Sequence, residues 1–67
     1  MNNIKSYILE TNTHFFNVVE YPTSVSFLSQ DNNTKEVDNI SFNNAFECWE
    51  HLKSIGYSKD QFSKAPF

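Results

Sequence analysis

The sequence contains no arginine, and its five lysines are outnumbered by eight acidic residues, which leaves a net charge of −3. Proteins that bind nucleic acid draw most of their affinity from cations placed on phosphates, and arginine is a preferred side chain for reading bases. The charge balance therefore argues against nucleic acid as the principal partner. It does not by itself select another partner.

The sequence also has a single cysteine, Cys48, and only 67 residues. One cysteine excludes an internal disulfide, and no array of Cys and His has the spacing of a structural zinc site. A chain of this length buries only about 60% of its unfolded surface, so it is marginally stable without a covalent or metal cross-link. We therefore expect one small domain over residues 1–67, with no cofactor or metal, stabilised by self-association or by a tight protein partner.

Long apolar runs are missing as well. None approaches the ~20 residues of a membrane-spanning helix, and the first ten residues lack the apolar centre of a secretory signal peptide. We expect no membrane contact and a cytoplasmic location, where an unpaired thiol is ordinary. The abundance of Asn, Lys, Ile, Phe and Tyr beside one glycine indicates an AT-rich coding sequence, typical of a phage, a mobile element or a low-GC bacterium.

What the sequence does contain is one strongly amphipathic segment, 41–57. Apart from Lys53, which falls within the apolar sector, its polar residues fill one half of a helical wheel and its apolar residues fill the other. The apolar half consists of Phe42, Ala45, Phe46, Cys48, Trp49, Leu52 and Ile55. Ser41 is placed to cap the first turn, and Gly56 to close the last turn in a left-handed conformation. The pattern predicts a helix with one face that must be buried.

Four segments before this helix have strand character: 4–10, 14–21, 24–29 and 34–40. The first three are rich in β-branched and aromatic residues, and the fourth is polar enough to be an edge strand. Turn-forming residues separate the segments. The predicted fold is α+β, an antiparallel three- to four-stranded sheet packed on one amphipathic helix in the order β-β-β-(β)-α. The capping-box spacing from Ser58 to Gln61 adds a short C-terminal helical turn, anchored by Phe62.

One helix of about fourteen residues, ~21 Å long and ~10 Å wide, can cover only one face of such a sheet. The alternation in the strands predicts that Phe15, Val19, Val25 and Phe27 lie beneath it. The opposite face would then carry Phe16, Val18, Leu28 and either Tyr7 or Ile8. An uncovered apolar face commonly marks a partner site.

Two alternatives to this uncovered face stay open. The C-terminal segment, with Phe62 and Phe67, could fold across it and cover it. A register slip of one residue would exchange the two faces, because side chains alternate with a period of two.

Cys48 and His51 stand three residues apart on the predicted helix, a spacing that could serve a metal or a nucleophile–base pair. The wheel places His51 on the solvent side, however, and a chain with one glycine has little means of building a cleft and an oxyanion hole. Glu47 and Glu50 project outward without the cleft that acid–base catalysis needs. We therefore predict a protein without enzymatic activity.

Aromatic residues in the strands could stack on bases, as in single-strand binders, but such sites also need a cationic groove. These strands carry more carboxylates than lysines. The sequence instead favours a non-catalytic protein-interaction module, such as a small phage or mobile-element inhibitor or modulator of a host protein, for example a defence component. The predicted contact residues are Tyr7, Phe16, Val18 and Leu28 as apolar centre, with Glu47, Glu50 and His51 as polar rim. The alternative is a homodimeric structural or regulatory protein with weak nucleic-acid contact.

Overall fold

The structure, a computed structural model, describes residues 3–65. Its strands are β1 (Lys5–Glu10), β2 (His14–Glu20), β3 (Val25–Asp31), β4 (Val37–Phe42) and β5 (Ser63–Ala65). One α-helix, α1 (Ala45–Ser54), follows β4, and a short 3-10 helix (Lys59–Gln61) precedes β5. The strands form one antiparallel sheet in the order β4-β3-β2-β1-β5. The predicted α+β meander with one helix is confirmed, with five strands in place of three to four.

The fifth strand is the element that the sequence pattern does not predict. It pairs antiparallel with β1 and places Ser63 opposite Ile8. Its three residues show no apolar alternation, so pairing with an existing sheet edge is what makes this segment a strand. The turn before it follows the predicted capping spacing, since the Ser58 N–H donates to Gln61 Oε1 at 2.9 Å.

The helix α1 begins later than the sequence predicts. Ser41 and Phe42 belong to β4, where Phe42 lies opposite Val25. Asn44 is the N-cap, and its Oδ1 accepts a hydrogen bond of 2.9 Å from the Glu47 N–H. The predicted cap at Ser41 is wrong because pairing with β3 keeps the chain extended through Phe42.

The predicted end of the helix is confirmed at Gly56, which has a φ of 99°. The Gly56 N–H donates to the Lys53 carbonyl at 3.1 Å, and the Tyr57 N–H donates to the Leu52 carbonyl at 2.9 Å. These two bonds form a Schellman motif, which needs a residue free to adopt the left-handed conformation. The turn delivers the Tyr57 ring onto Phe16, with 4.8 Å between the ring centroids.

The two faces of β2 are the reverse of those predicted. Val18 lies opposite Tyr7 on β1 and Phe27 on β3, so these three side chains share the face beneath α1. Tyr7, Phe16 and Val18 are all buried there, and Val18 has no exposed surface. Their predicted place on an uncovered face is wrong. The physical reason is that β2 carries apolar side chains at both odd and even positions, so the alternation alone does not decide which set faces the helix.

A single core lies between α1 and the sheet. Its buried members are Tyr7, Phe16, Val18, Val25, Phe27, Cys48 and Leu52. Cys48 and Leu52 form the centre of the buried side of the helix, and neither has exposed surface. Phe46 is 74% exposed, although the helical wheel places it in the apolar half. The helix is therefore turned about its axis, relative to the predicted one, so that Cys48 rather than Phe46 faces the sheet.

The segment after α1 closes the core on the side of β1. Phe62 packs edge-on against Trp49 at 5.2 Å between ring centroids, and Lys59 Nζ lies 5.0 Å from the centroid of Tyr7. This segment thus covers the helix side of the sheet. The alternative that Phe62 covers the opposite face is wrong, and Phe67 lies outside the described residues.

The turn between β3 and β4 is held by the Asp31 carboxylate. Asp31 Oδ1 accepts hydrogen bonds from the Thr34 N–H at 3.0 Å and the Asn33 N–H at 2.8 Å. These bonds hold the pKa of the Asp31 carboxyl below its usual 3.8, with a smaller contribution from His14. His14 Nε2 lies 3.7 Å from Asp31 Oδ2, across the β2–β3 pair.

We expect this carboxylate to make folding stability depend on pH in the acid range. Its pKa is lower in the folded than in the unfolded chain, so its contribution is present above about pH 4 and is lost as the pH falls through the folded value. Asp31→Asn should therefore show a shallower loss of stability between about pH 5 and pH 2 than the wild type, measured by urea unfolding. Asp60→Asn, on an exposed carboxylate of the 3-10 helix, is the control. Equal slopes in the wild type and Asp31→Asn would contradict the assignment.

Candidate functional site

The sheet face turned away from α1, which we call the open face, carries four partly exposed apolar side chains around one polar residue, and Val37 is exposed at its β4 margin. These four, the apolar quartet, are Ile8, Phe15, Val19 and Leu28. Ile8 and Leu28 are the cross-strand neighbours of Asn17. Phe15 and Val19 lie two residues from Asn17 along β2 and therefore on the same face. Apolar groups thus surround the Asn17 amide within the sheet.

The Asn17 side chain is held by two hydrogen bonds from its amide nitrogen. Nδ2 donates to Ser6 Oγ at 2.9 Å and to the Tyr7 carbonyl at 3.1 Å. These bonds fix the orientation of the amide and leave Oδ1 as its acceptor. A partner surface that docks here must donate a hydrogen bond to Asn17 Oδ1 or leave room for a water molecule that does so. A buried polar atom without a partner costs about 1–3 kcal/mol. The open face therefore combines an apolar patch with a central hydrogen-bond acceptor, which favours a partner that carries a donor at that point.

Charged side chains are scarce on the open face. At the described strand positions that share this face, Glu10 is the only ionisable residue. The helix side of the same strands carries more of them at its margins, including Lys5, Glu20 and Asp38. Depletion of charge at the centre of a contact is characteristic of protein–protein interfaces. The open face also lacks, at these positions, the cations that a phosphate backbone requires.

The predicted contact residues do not form one surface. Leu28 lies on the open face, as predicted. Glu47 and Glu50 are exposed on α1, which packs on the other side of the sheet. They cannot form the rim of a contact centred on the open face.

The sequence pattern does not predict Phe15 and Val19 as surface residues, because β2 is apolar at both parities. The signal that identifies them is Asn17, which shares their parity. A polar amide in the middle of a row makes that row the poorer candidate for a core. Tyr21 has the same parity and favours the wrong assignment, but β2 ends before it, and Tyr21 is 45% exposed.

The ring of His51 packs inward, and its predicted place on the solvent side of α1 is wrong. Its centroid lies 5.5 Å from that of Phe42 and 6.0 Å from that of Phe27. The rotation of the helix that buries Cys48 and Leu52 brings His51 against β3 and β4. His51 is half-buried as a result.

A groove of about 460 Å³ lies between the C-terminal end of α1 and strands β2, β3 and β4. Its lining consists of His14, Phe16, Phe27, Ser29, Asp38, Asn39, Ile40, His51, Ile55 and Tyr57. The walls are mainly aromatic and aliphatic, and the imidazole of His14 stacks on the ring of Phe16 at 5.6 Å. Asp38 supplies a carboxylate, and the lining contains no lysine. The volume lies within the range of small-ligand and side-chain pockets.

Cys48 is poorly placed for nucleophilic or metal chemistry. It has no exposed surface, and burial together with the nearby Glu20 raises the pKa of its thiol from 9.0 to about 11. Across residues 3–65, no three His, Cys, Asp or Glu side chains are grouped so that they could hold a metal ion. Cys48 does not line the groove, which therefore offers shape and apolar contact without a thiol.

We expect the Cys48 thiol to resist alkylation in the folded protein. At pH 8 the raised pKa leaves about a hundredfold less thiolate than an ordinary cysteine has, and burial blocks the reagent as well. Iodoacetamide labelling, followed by mass spectrometry, should be slow in native buffer and fast in urea. Rapid labelling without urea would contradict the buried position of Cys48.

Comparison with protein-family models, curated proteins and solved structures finds no match to the chain. Within residues 3–65, no helix has the length and hydropathy that crossing a membrane requires. The function of the chain must therefore be inferred from the geometry of its surfaces.

Proposed function

We propose that the protein is a non-catalytic interaction module that binds another protein through the open face. The observation that carries the proposal is the apolar quartet around Asn17, on a sheet face with a single ionisable residue among its described strand positions. A group of partly exposed apolar side chains on a face with little charge is a feature of protein contact sites.

The charge of the chain supports a protein partner over nucleic acid. The open face has Glu10 as its only ionisable strand residue within the described part of the chain, and the sequence has no arginine. Single-strand binders place aromatic side chains in a cationic groove, and Phe15 lies on a face whose described strand positions include no lysine. A partner with an apolar surface and a hydrogen-bond donor opposite Asn17 fits better. By occupying such a surface the protein would act as an inhibitor or modulator of its partner.

The test is retention of a partner by open-face variants. Phe15→Lys combined with Leu28→Lys places two charges within the apolar quartet, where contact would strip them of water. We expect partner retention from a lysate of the source cells to fall about thirtyfold, the equivalent of losing a ~2 kcal/mol hot spot. Phe46→Lys is the control for a lysine placed elsewhere, because Phe46 is 74% exposed on the opposite side of the molecule.

Two outcomes would count against the proposal. If the Phe46→Lys control lost as much partner retention as the open-face variant, the contact would involve α1. If the open-face variant retained the partner as well as the wild type, the apolar quartet would not be part of the contact. Circular dichroism of each variant establishes that the fold is intact. Sedimentation over roughly 1–100 µM tests the alternative of self-association by measuring the mass in solution. If the wild type is a dimer and the double variant is a monomer, the partner is a second copy of the chain.

A further inference from the structure

We propose that the outer edge of β4 and the groove beside it form a second binding site, for an extended peptide segment of a partner protein. The segment would carry a large apolar side chain and a lysine or arginine two residues apart. This site lies on the helix side of the sheet, so it is separate from the open face and can be tested independently of it.

The first observation is the free edge of β4. In the described sheet this strand is terminal, with β3 on its inner side only. Its residues from Val37 to Ser41 are all exposed. Such an edge presents backbone N–H and C=O groups that an extended peptide can pair with, which is a recurrent mode of peptide recognition.

The second observation is the position of the groove next to this edge. Ile40 of β4 is 39% exposed, and Ile55 across the groove is 48% exposed. The buried rings of Phe16 and Phe27 form the floor. A guest residue beside Ile40 would point to the helix side, where a large apolar side chain can enter the groove.

The third observation is the charge at the lip of the groove. Asp38 lies two residues before Ile40 and therefore on the same face of β4. A charge in this position opposes an apolar guest strand, which is how natural sheets protect their edges. A guest lysine or arginine beside Asp38 removes that obstacle. Since side chains alternate along a strand, the cation must stand two residues from the apolar anchor.

The sequence of β4 also argues against a second copy of the chain as the guest at this edge. The strand from Val37 to Phe42 contains no lysine or arginine. Paired with itself, it would bring a second carboxylate to the edge without a cation to match the first. The net charge of −3 adds to this repulsion and favours a basic partner segment.

The test uses short synthetic peptides and two-dimensional NMR of the full chain. The probe is an acetylated hexapeptide with tryptophan near its centre and lysine two positions away. We expect it to shift the amide signals of β4 and of the groove lining. A peptide with the lysine moved to the adjacent position should bind about threefold more weakly, because the cation then points to the other face and loses its contact with Asp38. Replacement of the lysine by glutamate should weaken binding about fivefold or more.

Variants of the protein separate this site from general charge effects. Asp38→Asn should weaken the lysine peptide about threefold and leave the glutamate peptide unchanged or stronger. Asp60→Asn removes the same charge away from the groove and should change neither affinity. The Phe15→Lys, Leu28→Lys variant should bind the peptide as the wild type does, whatever its effect on the open face.

Three results would overturn the proposal. The first is absence of amide shifts at about 1 mM peptide, a concentration that half-fills even a site with a Kd of about 1 mM. The second is equal binding of the two lysine spacings. The third is binding of free tryptamine as tightly as the peptide, which would make the site a pocket for a small aromatic cation without strand pairing.

Discussion

Phe16→Ala is expected to lower the free energy of unfolding by about 3–5 kcal/mol, while Phe15→Ala lowers it by about 1 kcal/mol. The two side chains are neighbours in sequence and identical in size. Phe16 is 4% exposed and contacts the rings of Phe27 and Tyr57, whereas Phe15 lies partly exposed on the open face. Removing the first leaves a cavity in the core, and removing the second mainly uncovers a strand surface.

The measurement is urea unfolding followed by the fluorescence of Trp49, the single tryptophan of the chain. Trp49 is a useful reporter because its Nε1–H donates to Glu20 Oε2 at 2.8 Å and ties α1 to β2. A domain of this length has a total stability of roughly 3–10 kcal/mol, so the loss expected for Phe16→Ala is large enough to leave that variant unfolded without urea. Phe16→Leu, with an expected cost of about 1 kcal/mol, keeps the comparison measurable. A larger loss from Phe15 than from Phe16 would restore the face assignment expected from the sequence.

Leu52→Ala is expected to cost about 2–5 kcal/mol, the second large effect. Leu52 has no exposed surface and lies with Cys48 at the centre of the buried side of α1. The Leu52 carbonyl that closes the helix C-terminus belongs to the backbone, so the substitution removes packing and leaves the Schellman motif in place. The loss should therefore come from the cavity alone.

Phe46→Ala is the control on the same helix and should change stability by no more than about 0.5 kcal/mol. The two substitutions distinguish the observed helix from the one predicted by the wheel, in which Phe46 belongs to the apolar half. If Phe46→Ala proved as costly as Leu52→Ala, the orientation of α1 with Cys48 and Leu52 toward the sheet would be wrong. Thermal unfolding by circular dichroism provides an independent reading of both variants.

Element types were predictable from local chemistry. Three of the strands follow β-branched and aromatic runs, and Gly56 marks the end of α1 because the closing turn requires a positive φ. The strand count fell short at β5, because Ser63–Ala65 gains strand character only from its partner β1. The start of α1 was displaced because Phe42 suits both a strand and a helix face. Pairing with Val25 decides between them, and this information is not local.

The orientation of elements was less predictable than their type. In β2 the alternation of side chains is ambiguous, and the choice of face is made by the neighbours of Val18 on β1 and β3. In α1 the wheel offers a wide apolar arc, and the sheet buries only the part centred on Cys48 and Leu52. The exchange of faces in β2 explains why Phe16 and Val18 are buried beneath α1 instead of lying with Leu28 on the open face. The rotation of α1 explains why His51 lines a groove.

The two proposed sites use opposite sides of one sheet and different physical features. The open face offers apolar contact with a polar centre at Asn17, and the β4 edge offers backbone pairing with selection by Asp38. Because α1 and the sheet separate them, a partner could occupy one without the other. A bivalent partner that engages both would gain affinity through its effective concentration.

Site-specific photo-crosslinking in the source cells tests the open face most directly. A benzophenone amino acid replaces Leu28 on the open face in one variant and Phe46 on α1 in the other. We predict a crosslinked species larger than the 7.8 kDa chain for the Leu28 variant and none for the Phe46 variant. An adduct of twice the chain mass would identify the partner as a second copy. Adducts from position 46 alone, or from neither position, would contradict the open face as the contact surface.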